Sequence, residues 1–229
     1  MHLPTGDRSP STRKRTARQS ICSRRCSTMR FGGSCTLSNR IVSQVKDNQM
    51  SYDIFEHKHR FSVWAAARAV QNRFGAKVKD LREALENCGI VEFLNDSASM
   101  QVDQEQFDVL HRDWCVNIID FLAKKGVTKA TFGRAAKLVA VYLKSMVVIG
   151  GDPDCRLAQV AHPPIDSIML QNLSRSAEVR SPHKRKWRFV KWTQLSEEEY
   201  YQLVSELFVL VEPGMPLWHL EKYWTVTRE

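Results

Sequence analysis

Lys137 and Asp166 are the two side chains of this 229-residue chain whose types and settings most invite chemistry. Asp166 follows His162-Pro163-Pro164-Ile165 and stands directly before Ser167-Ile168-Met169-Leu170, at the mouth of an expected helix. A carboxylate there can cap the free backbone N–H groups of the helix and complement its dipole. It can equally face a reacting centre, stabilising developing positive charge and orienting a water or a nucleophile. Lys137 lies 29 residues earlier on another expected helix, with Arg134 three residues before it and Lys144 seven after, near the same face. That stripe reads either as a solvated charged face or as the setting of an amine nucleophile, which needs burial or neighbouring cations to leave it partly unprotonated. Spacing alone leaves both alternatives open for both residues.

A second cluster runs from Arg180 to Lys191. Arg180, Lys184, Arg185, Lys186, Arg188 and Lys191 occur there with no acidic residue, interleaved with Trp187 and Trp192. Such a patch can neutralise phosphates while an indole stacks on an unpaired base. The bland reading is a solvated loop whose tryptophans tuck into the core.

The elements that must position these groups are helical throughout. From about His59 to Phe74, Phe61, Trp64, Ala65 and Ala69 give one apolar stripe. A second helix carries Val78, Leu81, Leu85 and Cys88 and stops at Gly89. Asp103 and Gln106 form a capping box for a third, with Phe107, Leu110, Trp114, Ile118, Phe121 and Leu122 on one face, ending at Lys124-Lys125-Gly126. The fourth starts near Thr128 to Phe132 and runs to Gly150-Gly151. A short fifth is expected over Asp154 to Val160, ended by Pro163-Pro164, and a sixth behind Asp166. Past a basic loop, Ser196 and Glu199 box a seventh, and Pro216 opens the last, ending near Trp224. No period-two alternation occurs between turns, so the expected class is all-α, about eight helices in a compact domain, with two lobes and a cleft as an option.

Charge is unevenly spread. Residues 1–49 hold ten Lys and Arg against two Asp, so most of the net charge of +9 lies in a Ser-, Thr- and Arg-rich segment that is expected to be a disordered basic tail. The pattern changes at Met50, which invites the expectation that Met50 is the native start and that residues 50–229 form the domain. No apolar run is long enough for a membrane span and no secretory segment is seen, so the expected location is cytoplasmic. Six cysteines, at 22, 26, 35, 88, 115 and 155, show no paired metal-binding spacing. They read as free thiols, with no metal and no cofactor expected.

Gly133-Arg134-Ala135-Ala136-Lys137-Leu138 leading a helix, followed by His162-Pro163-Pro164-Ile165-Asp166-Ser167 opening another, resembles the core of the helix-hairpin-helix DNA glycosylases. The long Lys137-to-Asp166 spacing, with Val148 to Ala161 as the insertion, is more like the archaeal 8-oxoguanine glycosylase branch. The hairpin would be Lys125-Gly126-Val127-Thr128, and the four cysteines of the iron–sulfur members are absent after Asp166. The likeness covers about 45 residues. It implies an all-helical enzyme that cleaves N-glycosidic bonds, with Asp166 as the essential carboxylate and Lys137 as a covalent nucleophile in a bifunctional member. It further implies double-stranded DNA with a flipped base as partner, in repair or against phage DNA carrying modified bases.

Such an enzyme needs a pocket for the extruded base. His162, Trp64, Trp114 and Tyr142 are the candidates, and His111 is also available; the alternative for each is a packed core position or a satisfied polar contact. Arg134, Lys144, Lys184, Arg185, Lys186, Arg188 and Lys191 are the candidates for phosphate contact. No obligate protein partner is implied, and a monomer is expected. The competing reading is a non-catalytic helical DNA-binding or regulatory protein in which Asp166 is only a cap.

Overall fold

The structure, a computed structural model, describes residues 52–71, 74–96 and 101–225. The expected basic tail, with Cys22, Cys26 and Cys35, lies outside the described residues, as does the proposed start at Met50. All regular structure among the described residues is helical, so the fold is all-α.

Helix α1 spans Ile54–Val70 and starts earlier than the apolar period suggests, because Asp53 caps it: its Oδ1 accepts from the Phe55 N–H at 2.8 Å. Its buried face is His59, Ser62, Val63, Ala66, Ala67 and Val70. The expected core stripe is therefore corrected: Phe61 and Trp64 stand 58% and 53% exposed on the outer side. Small residues on the inner face let α1 lie close against α5, and the inward His59 is satisfied by the Tyr142 hydroxyl at 2.8 Å and Glu86 at 3.2 Å.

Helix α2 (Val78–Asn87) ends as expected before Gly89, whose φ of +95° few other residues adopt. A short α3 (Ile90–Asn95), which the sequence pattern does not announce, starts from that same glycine. Helix α4 (Gln104–Lys124) carries the expected Asp103/Gln106 capping box and buries Phe107, His111, Trp114, Cys115, Ile118 and Leu122. Its exit turns through Gly126 at φ +80°, where the Gly126 and Val127 N–H groups bond the Ala123 and Leu122 carbonyls at 2.9 Å each.

Helix α5 (Phe132–Leu143) is the hub, packed against α1, α4 and α9. All its residues but Val141 are buried, Arg134 and Lys137 included. Its Ala-, Val- and Leu-rich sequence suits a helix apolar on nearly every side, so the solvated-stripe reading of its cations is overturned. It runs into a π-helical turn, Lys144–Ile149. Gly150 and Gly151 close that turn by proximity: a Cβ at either would stand 2.4 and 2.7 Å from the Ser145 and Val147 carbonyl oxygens.

Helix α6 (Arg156–Val160) and helix α7 (Ser167–Arg175) flank the double proline. The expected basic loop holds a one-turn helix, α8 (Lys184–Trp187), and a 3-10 turn, Trp192–Gln194. Helix α9 (Glu197–Phe208) has the expected Ser196/Glu199 box, and Pro216 opens a 3-10 segment, Leu217–Tyr223, rather than an α-helix. Buried apolar side chains from Val63 to Leu220 form one continuous cluster, so two lobes with separate cores are not seen among the described residues. No described helix is long and apolar enough to cross a membrane.

Candidate active site

The start of α5 is clamped to the chain around Trp192. Thr131 caps the helix and donates its hydroxyl to the Thr193 carbonyl at 2.8 Å, while the Gly133 N–H bonds the Leu195 carbonyl at 3.1 Å. Gly133 is required by the closeness of the two strands of chain: a Cβ there would meet the Trp192 carbonyl oxygen at 2.0 Å. One turn further along the same face, the Lys137 ammonium lies 4.3 Å from the centre of the Trp192 ring.

Asp166 is reached through Ala161–Ile165, a buried run that is neither helix nor strand. Pro163 and Pro164 suit it because they bring no N–H that would need a partner there. The Asp166 backbone is extended, and its two carboxylate oxygens divide their work. Oδ1 accepts from the Met169 N–H at 3.0 Å, capping α7. Oδ2 accepts from Lys137 Nζ at 3.1 Å and from Trp224 Nε1 at 2.9 Å. The cap and the ion pair are thus simultaneous, and Lys137 and Asp166 are brought together although they lie on different helices, 8% and 7% exposed.

Both groups line a cavity of about 510 Å³ whose walls include Trp64 and Arg68 of α1, Lys144 and, from the C-terminal segment, Glu221 and Trp224. Lys144 opens the π-helical turn, a wider turn that commonly re-aims side chains at functional sites. It pairs with Glu221 and sits 5.4 Å from the Trp224 ring. Burial pushes the Lys137 ammonium below the ordinary lysine range, with Asp166 opposing that shift. Burial likewise raises the Glu221 carboxyl above the usual carboxylate range, against the pull of Lys144 and with the Asp166 charge adding to it.

The remaining candidates separate cleanly. Trp64 lines the cavity, but His162, Trp114 and Tyr142 do not. His162 is buried among Phe107, His111 and Tyr200, with Asp108 at 3.1 Å from Nε2 and the Tyr200 hydroxyl at 3.2 Å from Nδ1. Trp114 packs edge-on to Phe93 in the core, and Tyr142 is held by His59. His111 is wholly buried too, and burial pushes its ring well below the usual histidine range.

Among the proposed phosphate-binding cations, Arg134 is buried, donates to the Val70 carbonyl at 3.1 Å and lies over the Phe74 ring, so it ties α5 to the end of α1. Lys184 bonds the Ser176 carbonyl and Lys186 pairs with Glu206. Arg185, Arg188 and Lys191 are exposed. Trp192, Arg68, Glu221 and Trp224 are absent from the sequence-derived site. Only Trp192, interleaved with the basic run, carried a usable signal.

No group of three or more His, Cys, Asp or Glu side chains among the described residues could hold a metal ion. Comparisons with known protein families, characterised proteins and solved structures found no match for this chain.

Proposed function

We propose that this protein is a DNA N-glycosylase acting on a base swung out of the duplex. The observation that carries the reading is the Lys137–Asp166 contact at 3.1 Å on the wall of a cavity of about 510 Å³. That volume falls in the range of ligand pockets, roughly 300–1,000 Å³. The indoles of Trp64 and Trp224 at its wall offer flat faces for a base. Arg68 and Lys144 bring positive charge to a site that a phosphodiester must approach.

The chemistry follows from the pair. As the N-glycosidic bond stretches, its electron pair leaves on the base and positive charge grows on the sugar, where the Asp166 carboxylate stabilises it. Lys137, once it has given a proton to water, attacks C1′ with its lone pair and takes the place of the base, which leaves with the bonding pair and takes up a proton from water. The attached nitrogen then carries two protons; it gives one to the sugar ring oxygen as the C1′–O4′ bond breaks, leaving a protonated imine between Lys137 and C1′. Burial of Lys137 favours the unprotonated amine this step requires. The resemblance of Gly133–Leu138 and His162–Ser167 to the glycosylase core supports the same assignment.

The test is release of base from duplex DNA carrying a panel of modified bases. Wild type is expected to leave abasic sites, Asp166→Asn to lose at least about 100-fold in rate, and Lys137→Ala to lose borohydride trapping on abasic DNA. One observation favours a second reading, a non-catalytic DNA-binding module: every oxygen of Asp166 already has a structural partner. DNA binding by wild type with no base released from any substrate would select that reading.

A further inference from the structure

The turn after α8 presents an aromatic ring that the cavity does not use. Phe189 is 76% exposed, the most exposed large apolar side chain among the described residues. Single exposed apolar residues are common on protein surfaces, so the setting has to decide. Three features set this one apart.

The ring is displayed from a pinned backbone. Trp187, two residues earlier, is fully buried with its indole N–H on Glu206 at 3.1 Å, and Lys186 pairs with the same carboxylate. The Phe189 N–H bonds the Lys186 carbonyl at 2.9 Å and the Val190 N–H bonds the Trp187 carbonyl at 3.3 Å, closing the turn. An ordering cost that a mobile loop would incur on binding is therefore already met by the fold.

The ring stands among free cations. Arg185, Arg188 and Lys191 are all exposed, and the Arg188 guanidinium lies 5.8 Å from the Phe189 ring centre. An aromatic face flanked by cations that can reach phosphates is the arrangement by which proteins hold unpaired nucleotides.

The turn also leads toward Lys137, which lines the cavity. Phe189 stands three positions before Trp192, whose ring is 4.3 Å from Lys137 Nζ. At no more than about 3.6 Å of reach per residue, their backbones are within about 11 Å of one another, a span of roughly three base steps at 3.4 Å.

We infer that Phe189, with Arg185, Arg188 and Lys191, is a stacking platform for an unpaired DNA base, engaging the strand beside the nucleotide that enters the cavity. This extends the proposed function by a strand-binding surface outside the cavity, and it rests on that reading only for the identity of the strand. The platform accepts any base, since every base has a flat face, and takes its phosphates on the three cations.

The experiment measures fluorescence anisotropy of a labelled single-stranded DNA 12-mer with the full chain, over a salt series. Phe189→Ala and Phe189→Leu should each weaken binding about tenfold, while Phe189→Trp keeps it within about twofold. None should change the slope of log Kd against log salt, because no cation is removed. The triple variant Arg185→Ala, Arg188→Ala, Lys191→Ala should instead flatten that slope by about 2.

Binding by Phe189→Leu equal to wild type would overturn the stacking claim, and so would Phe189→Ala at wild-type affinity. A slope unmoved in the triple variant would overturn the phosphate claim. Running the duplex base-release assay on the wild type beside this series separates the two ideas. Phe189-dependent binding without base release sinks the glycosylase and leaves the platform, whereas base release with no Phe189 effect on binding does the reverse.

Discussion

Substituting Asp166 by Asn removes one charge while keeping the shape, and it leaves the surrounding donors short of acceptors. Three donors converge on the carboxylate: the Met169 N–H, Lys137 Nζ and Trp224 Nε1. Asn has a single acceptor oxygen and an NH₂ that only donates. If its oxygen stays on Met169, as a good N-cap can, the NH₂ is turned toward two other donors, and Lys137 is left as a buried cation without a counter-charge. Removing one partner of a buried ion pair typically costs about 3–5 kcal/mol. Lys137 can escape part of that by losing its proton, which burial already favours, so about 3 kcal/mol is the expected loss. Lys137→Met in the same background deletes the stranded charge, so the double variant should be more stable than Asp166→Asn alone by at least about 1 kcal/mol. Urea denaturation of the wild type, both singles and the double measures this coupling. Additivity within about 0.5 kcal/mol would refute the claim that the two groups form one unit. The same four proteins test chemistry, since restored stability should bring back no base release.

Other consequences can be checked separately. The amine must be unprotonated to attack, and burial lowers the Lys137 pKa; imine trapping on abasic DNA should therefore rise with pH and level off below the ordinary lysine value of 10.5. A profile whose midpoint stands at or above 10.5 contradicts this. Gly133→Ala would push a Cβ to 2.0 Å from the Trp192 carbonyl oxygen, costing about 1–3 kcal/mol in denaturant titration and moving Trp192 off Lys137; an unchanged unfolding midpoint counts against the clamp. Trp64→Ala at the cavity wall should change stability by less than about 0.5 kcal/mol yet slow base release, whereas Trp114→Ala in the core should lose about 3–5 kcal/mol. Equal stability losses in the two would refute the division of these tryptophans between cavity and core.

Helix order was readable because it rests on local rules. The Asp103/Gln106 and Ser196/Glu199 boxes, the Asp166 cap and the stops at Gly89 and Gly126 are all decided within four residues of chain. What sequence could not supply was which side of a helix meets the rest of the molecule. In α1 both Phe61/Trp64/Ala65/Ala69 and Val63/Ala66/Ala67/Val70 satisfy a helical period, and packing against α5 selects the second. Large aromatics were expected to win the interior, but small side chains permit the closer approach. Arg134 and Lys137 were legible as candidates, yet their burial depends on α5 being surrounded, which no local window records. Glu221 and Trp224 were out of reach for a different reason. They come to the site from 55 and 58 residues beyond Asp166, on a 3-10 segment and just past its end, with too little periodicity to orient them.

The division of labour within Asp166 bears on how the pair would act. A carboxylate that caps a helix through one oxygen has its position fixed by the free energy of folding, because moving it uncaps α7. Its second oxygen then faces Lys137 without the freedom a solvent-exposed carboxylate would have. Such prior placement is what electrostatic stabilisation of a growing charge requires, since a group already aimed needs no reorganisation when the charge appears. Glu in place of Asp166 separates placement from charge. Asp166→Glu keeps the charge but adds a methylene, so it must abandon either the Met169 N–H or Lys137. The pair is positioned by the cap if Asp166→Glu loses base release nearly as fully as Asp166→Asn while keeping more of the stability. Near-wild-type release by Asp166→Glu would mean that charge alone is enough, and that the cap has no part in the chemistry.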